Sequence, residues 1–224
     1  MKNKYKFSDL FSGIGGMRYA FESLGSSCVF SSELNHFARK TYNLNFTHSK
    51  DHLFNYNILE INTNEIPSHD ILLAGFPCQP YSIAGLRKGL KDERGGDIFQ
   101  MLLEILSSAK PECFLLENVK GIMNHEKGET IKFMLQKLNM CGYQIVEPKI
   151  LNSMTHANIP QNRDRAFIVG FRDPLKALNF KFPEKIILRR SIHDCLHQEK
   201  VDDVFYYSKK FACYDFLKKG NQII

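Results

Sequence analysis

Apolar positions along the chain follow two alternating rhythms. Short apolar runs at 7–11, 28–33, 71–74, 113–116, 143–151 and 166–171 read as strands. Between them, apolar residues recur at helical spacing: Met17, Ala20, Phe21 and Leu24; Ile98, Met101, Leu102 and Ile105; Ile131, Met134, Leu135 and Leu138. A weaker stripe runs through Ala38, Thr41, Tyr42 and Asn45, and Gly142 marks a helix stop. The unbroken run Ile71-Leu72-Leu73-Ala74 suits a strand covered on both faces. The alternation predicts an α/β fold, a doubly wound, mostly parallel sheet with helices on both faces. Ligands of such a sheet sit at the carboxyl ends of its strands. After Phe171 the pattern weakens, and Pro174, Pro183, Arg189-Arg190 and residues 206–219 predict no further βα unit.

Composition narrows this picture little. A chain of 224 residues can bury roughly 70–75% of its unfolded surface in one domain, or one domain with a short appendage. With 43% hydrophobic and 24% charged residues it is neither disordered nor of low complexity. No apolar run approaches the ~20 residues of a membrane span, and the first residues carry no sustained apolar stretch. A cytoplasmic location without a membrane is expected. Thirty Lys and Arg against 24 Asp and Glu leave +6, which permits a polyanionic partner and equally fits a mildly basic enzyme. The six cysteines form no CxxC pair and have no ligand-like histidine spacing, so neither a metal site nor a disulfide framework is expected.

The unusual residues cluster at the expected strand ends. Phe11-Ser12-Gly13-Ile14-Gly15-Gly16 is a glycine-rich turn before a helix, and Glu33 closes the second strand. Together they suit a nucleoside cofactor, the turn meeting it with backbone and the carboxylate with a hydrogen-bond acceptor. A plain tight turn beside an exposed Glu is the alternative. Cys78, between Pro77 and Pro80 after a buried strand, is either a nucleophile or a structural residue of a stiff turn. Glu117, in Glu117-Asn118-Val119, is either its proton-donating companion or a strand cap. Arg163 and Arg165 lie on one side of an extended segment, to hold a phosphate, a base carbonyl or a thiolate, or simply as paired surface charges. Residues 82–97, rich in glycine and basic side chains, form a lid over an anion or a solvated loop.

In their order, Asp9-Leu10-Phe11-Ser12-Gly13-Ile14-Gly15-Gly16, Gly75-Phe76-Pro77-Cys78-Gln79-Pro80, Glu117-Asn118-Val119 and residues 161–165 resemble the motifs of the cytosine-5 DNA methyltransferases. The likeness is greatest to the compact enzymes of bacterial restriction–modification systems and covers about residues 5–185. It implies a Rossmann-like fold, S-adenosylmethionine as methyl donor, no metal, and a flipped cytosine of double-stranded DNA as substrate. By this resemblance Phe11 stacks on the adenine, Gly13, Ile14 and Gly16 line the methionine end, Glu33 holds the ribose, and Leu34, Ile58 and Pro77 complete the apolar walls. Cys78 would attack C6 of the base and Glu117 would engage N3 and the exocyclic amine. Arg165 would hold the C2 carbonyl while Arg163 orients Glu117. Gln79, Ser82, Arg87 and Lys88 would meet the DNA.

Two departures from the family pattern stand out. Asn57 occupies the place of the acid that accepts from the adenine amine, so cofactor binding is expected to survive with a weaker hold. The family also continues with a target-recognition region and a terminal segment that returns to the cofactor domain. Residues 1–185 are thus expected to form the S-adenosylmethionine-binding catalytic domain, and 186–224 the start of a linker or recognition region. A second protein chain would carry the remainder, with a truncated gene as the alternative. A transfer RNA cytosine-5 methyltransferase and an inactive cofactor-binding relic are the competing functional readings.

Overall fold

The computed structural model describes residues 5–77 and 95–196. Strand β1 (Lys6–Leu10) leads through the glycine-rich turn into helix α1 (Gly16–Ser23). Strand β2 (Ser27–Ser32), helix α2 (His36–Asn45) and the short strand β3 (Leu53–Asn55) follow. Two 3-10 turns, Ile58–Glu60 and Thr63–Glu65, precede strand β4 (Ile71–Ala74). Then come helix α3 (Gly95–Ala109), strand β5 (Cys113–Val119) and helix α4 (Glu129–Met140). Strands β6 (Gln144–Ile145) and β7 (Lys149–Asn152), helix α5 (Ser153–Ala157), strand β8 (Asp164–Phe171) and helix α6 (Pro174–Asn179) complete the order.

All eight strands join one sheet in the order β3-β2-β1-β4-β5-β8-β6, with β7 also paired to β8. From β3 to β5 the pairing is parallel, and β8 runs antiparallel to β5, β6 and β7. The chain moves outward from β1 to β3 and then returns to the other side of β1 with β4. Between β1 and β4 the winding reverses, and that reversal opens a crevice at the strands' carboxyl ends.

Successive residues of the central strands serve opposite faces, as strand geometry requires. Leu10, Leu72, Ala74, Phe114 and Leu116 pack with Phe99, Leu102 and Leu106 of α3 and Met134 and Leu138 of α4. Phe7 and Leu73 face the other way, against Met17 and Phe21 of α1. Helices therefore cover both faces, as expected.

Several details differ from the sequence expectation. The run 143–151 is two short strands rather than one. Pro148 has no N–H for the ladder, so pairing stops at β6 and resumes at β7. The end of the sheet is antiparallel because the chain returns from β7 to its neighbour β8 through only 153–163, without the long crossover a parallel pair needs. In α1 the buried residue is Arg18, whereas Ala20 and Leu24 of the expected apolar stripe are exposed. Pro174 starts a helix instead of ending the pattern. It lies in the first turn of α6, where a missing N–H costs nothing, and Asp173 caps that turn by accepting from the N–H of Leu175. Residues past 185 fold back on α5: Ile186 donates to the carbonyl of Thr155, and Asn158 Oδ1 accepts from Arg189 and Arg190.

Candidate functional site

A cavity of about 270 Å³ lies at the carboxyl ends of β1 to β4, over the winding reversal. Phe11 enters it from β1, Ser32, Glu33 and Leu34 from β2, Asn57, Ile58 and Leu59 from the segment after β3, Gly75 and Pro77 from β4, and Ile98 from α3. Six of the expected cofactor residues, Phe11, Glu33, Leu34, Asn57, Ile58 and Pro77, are thus brought together. Gly13, Ile14 and Gly16 lie on the adjoining turn rather than in the lining. Ser32, Leu59, Gly75 and Ile98 were not among the expected cofactor residues. Their types are common, and only the topology brings them here.

The glycine-rich turn is gripped from two sides. Phe11 adopts a left-handed backbone, φ +54°, rare for a bulky residue and frequent at ligand-contacting turns. Glu33 Oε2 accepts the N–H of Gly13 at 2.8 Å, and Oε1 accepts that of Asn35 at 2.7 Å. Each oxygen keeps a lone pair, so the carboxylate can still accept from two neighbouring hydroxyls. Behind the turn, Phe46 fills the space where a side chain at Gly15 would go.

Arg18, 2% exposed, lies over the Phe46 ring with its guanidinium 4.5 Å from the centroid. It donates to Glu22 at 2.7 Å, to the Tyr42 hydroxyl at 3.2 Å and to the Thr47 carbonyl at 3.3 Å. Its Nη1 is also 3.2 Å from Nδ1 of His48. Arginine is seldom buried without partners, and no local pattern marked this one.

The same layer holds a polar network. Ser31 Oγ bonds the Tyr42 hydroxyl at 2.6 Å and His52 Nε2 at 2.9 Å, and the rings of His48 and His52 stack at 4.4 Å. Burial, reinforced by neighbouring His48 and Arg18, lowers His52 to about 4. Burial chiefly, opposed by Arg18, raises the Asp9 carboxyl well above the carboxylate range.

On the far side of β4, Glu117 projects from β5. Its Oε1 pairs with Arg165 Nε at 2.8 Å, and its Oε2 lies 3.5 Å from where a Cβ on Gly75 would stand. The sheet register explains the pair. Val119 faces Arg165 and Glu117 faces Phe167, so Arg165 is the diagonal neighbour of Glu117 on the same face. The orienting contact that the resemblance assigned to Arg163 is made by Arg165. Arg163 lies one residue before β8, exposed, with its carbonyl accepting from Ser153.

Asn118 is buried. Its Nδ2 donates to the carbonyl of Phe76 at 3.1 Å while its Oδ1 accepts the N–H of Val119, tying the end of β5 to the backbone leaving β4. Cys78, Gln79, Ser82, Arg87 and Lys88 lie outside the described residues. Among the described residues, no group of acidic, His or Cys side chains could hold a metal ion, and no helix is long and apolar enough to cross a membrane.

Residues 5–222 match the C-5 cytosine-specific DNA methylase family. The chain is 44% identical over 222 residues to the Type II methyltransferase M.DsaV of Dactylococcopsis salina, covering 99% of this chain and 59% of that protein. It is 41% identical over 224 residues to the Type II methyltransferase M.HpaII of Haemophilus parainfluenzae, covering 99% and 61%. Among solved structures, a Spodoptera frugiperda DNMT2 mutant superposes with a TM-score of 0.67 at 27% identity, over 90% of this chain and 62% of that one. The chain spans about three fifths of the length of these relatives.

Proposed function

The chain belongs to the C-5 cytosine-specific DNA methylase family, and on that footing we propose that it transfers a methyl group from S-adenosylmethionine to C5 of a flipped cytosine in double-stranded DNA. The setting is a cytoplasmic restriction–modification system, in keeping with the Type II methyltransferases among its relatives. The observation that carries the reading is the position of Glu117. Held by Arg165 at 2.8 Å, it stands against Gly75, which also lines the cavity, so an acid–base group and a nucleoside-sized cavity share one wall.

The cavity's chemistry fits the proposed methyl donor. Glu33 retains acceptor capacity for ribose hydroxyls, Phe11, Leu34, Ile58 and Pro77 offer apolar surface to a purine, and Asn57 offers a polar edge. Bound there, S-adenosylmethionine supplies an electrophilic sulfonium methyl group. The rest falls to the chain's own side chains. The Cys78 thiolate adds to C6 of the cytosine while Glu117 secures a proton at N3, which turns C5 into an enamine-like nucleophile. As C5 takes the methyl group, N3 returns its proton to Glu117; solvent water then removes the C5 proton, the C5–C6 double bond re-forms and Cys78 leaves as the thiolate. Arg165 holds Glu117 in place, and Asn118 fixes the backbone at Phe76, two residues before Cys78 in sequence. Gln79, Ser82, Arg87 and Lys88 contact the opened duplex, helping to offset the few kcal/mol of base flipping.

The test of the covalent step is Cys78→Ala in the complete enzyme, with duplex DNA and labelled S-adenosylmethionine. Methyl transfer should vanish while cofactor binding persists, since Phe11, Glu33, Asn57 and Ile58, which offer the cofactor its contacts, come from other strand ends. Substantial turnover by the variant would remove the adduct from the mechanism. Target recognition is proposed to reside in a second chain that supplies the part of the relatives' length not spanned here.

A further inference from the structure

Asn57 lines the cavity and caps the 3-10 turn Ile58–Glu60. Its Oδ1 accepts the N–H of Leu59 at 3.2 Å, and its Nδ2 donates to Glu60 Oε1 at 2.6 Å. The turn that brings Glu60 back is closed by Glu60 N donating to the Asn57 carbonyl at 3.0 Å. The two ends of the carboxamide are therefore committed to partners of opposite kind. A backbone N–H can only donate, and a carboxylate accepts. Rotating the amide by half a turn would set Nδ2 against the Leu59 N–H and Oδ1 against the carboxylate, two repulsive contacts in place of two bonds. Leu59 and Glu60 together lock the amide in one sense.

That lock has a consequence for the ligand. A carboxylate at this place would offer acceptors alone. The locked carboxamide keeps a second lone pair on Oδ1 and a second hydrogen on Nδ2, so it has both an acceptor and a donor to offer a ligand. The pattern complements a 6-aminopurine, whose exocyclic amine donates and whose adjoining ring nitrogen accepts. In nucleic acids asparagine reads adenine by an analogous donor–acceptor pair, there on the N6 and N7 edge. It mismatches a 6-oxopurine, whose oxygen accepts and whose N1–H donates. A carboxamide free to flip would serve both.

We propose that Glu60 is a positioning residue which, by locking Asn57, makes the cavity select a 6-amino over a 6-oxo purine nucleoside. The inference rests on the S-adenosylmethionine reading of the cavity and assigns its base selection to a pair of residues in place of a single acid.

The experiment is equilibrium binding, by calorimetry and ligand-observed NMR, of S-adenosylhomocysteine and of S-inosylhomocysteine to the full chain and its variants. The unmodified chain should prefer the adenosyl ligand by about 10-fold to 100-fold, the range of a good bidentate base contact. Glu60→Leu removes the acceptor that holds Nδ2. It should reduce the preference about threefold or more, with the thermal midpoint little changed because Glu60 is exposed. Glu60→Gln, whose side-chain carbonyl can still accept from Nδ2, should restore it. A ratio near one in the unmodified chain, or an unaltered ratio in Glu60→Leu, would overturn the inference while leaving the cofactor reading intact. If neither ligand binds at millimolar concentration, the cofactor reading itself falls and takes the inference with it.

Discussion

Gly15 stands at the N-terminus of α1 with φ +92°, and its Cα looks onto the Phe46 ring. An alanine there would take a left-handed backbone that L-residues avoid and would also drive its methyl into that ring. Gly15→Ala is expected to destabilise the chain by about 1–3 kcal/mol, read as a lower urea midpoint. An unchanged midpoint would show that Phe46 and Arg18 can move aside together. The second residue-scale prediction concerns Glu117. Replacing it with Gln keeps the shape and removes the exchangeable carboxyl proton, for which positioned acid–base groups typically contribute 10²–10⁴-fold. The single-turnover rate of methyl transfer in the complete enzyme should fall by about that factor, with S-adenosylmethionine binding unaffected. A rate close to that of the unmodified enzyme would reduce Glu117 to an anchor for Arg165.

At the scale of elements, the layer formed by β2, α2 and β3 carries its own pH dependence. His52 meets Ser31 of β2, stacks on His48, and has Phe54 of β3 and the Arg18 charge of α1 nearby. Its folded value of about 4 lies below the ordinary 6.5, so between those values the unfolded chain takes up a proton that the folded chain refuses. The stability tied to His52 is whole above pH 6.5 and is lost as the pH falls toward 4. The thermal midpoint should drop across that window, and His52→Gln should flatten the drop. An equally steep drop in the variant would move the effect to other groups. This layer also shows where sequence patterns stop being informative. The strands flanking the site were legible because their apolar runs are buried on both faces. So were Glu33 and Glu117, carboxylates at strand ends beside recognisable turns. Arg18 was not, because its partners Tyr42, Thr47 and His48 come from a different segment. The Arg165–Glu117 contact depends on the antiparallel register of β8, which no spacing along the chain encodes. β3, only three residues long, carries too few positions for a period to appear.

For the molecule as a whole, apolar side chains are turned to solvent at the cavity and on the neighbouring helix: Leu34 of the cavity lining and Phe37 and Leu44 of α2 are 71%, 76% and 87% exposed. Exposed apolar surface beside a site favours association, and the chain spans only three fifths of its relatives' length. The chain alone is expected to methylate DNA weakly. Adding a polypeptide equivalent to the remaining two fifths should restore transfer, measured with labelled S-adenosylmethionine and duplex DNA. Robust sequence-specific methylation without it would place target recognition within these 224 residues. The sheet order also governs how such a chain is made. Among the described residues β8 is the last strand in sequence, yet it lies between β5 and β6. As the chain leaves the ribosome, β1 to β5 can assemble while the β5 edge that carries Glu117 waits for residues 164–171. At ordinary synthesis rates of roughly 5–20 residues per second, that edge stays bare for on the order of 2–9 s. A bare strand edge pairs with whatever strand it meets, so crowded polysomes are where this fold is most exposed to misassembly, and slower initiation or a holding chaperone should raise the soluble yield.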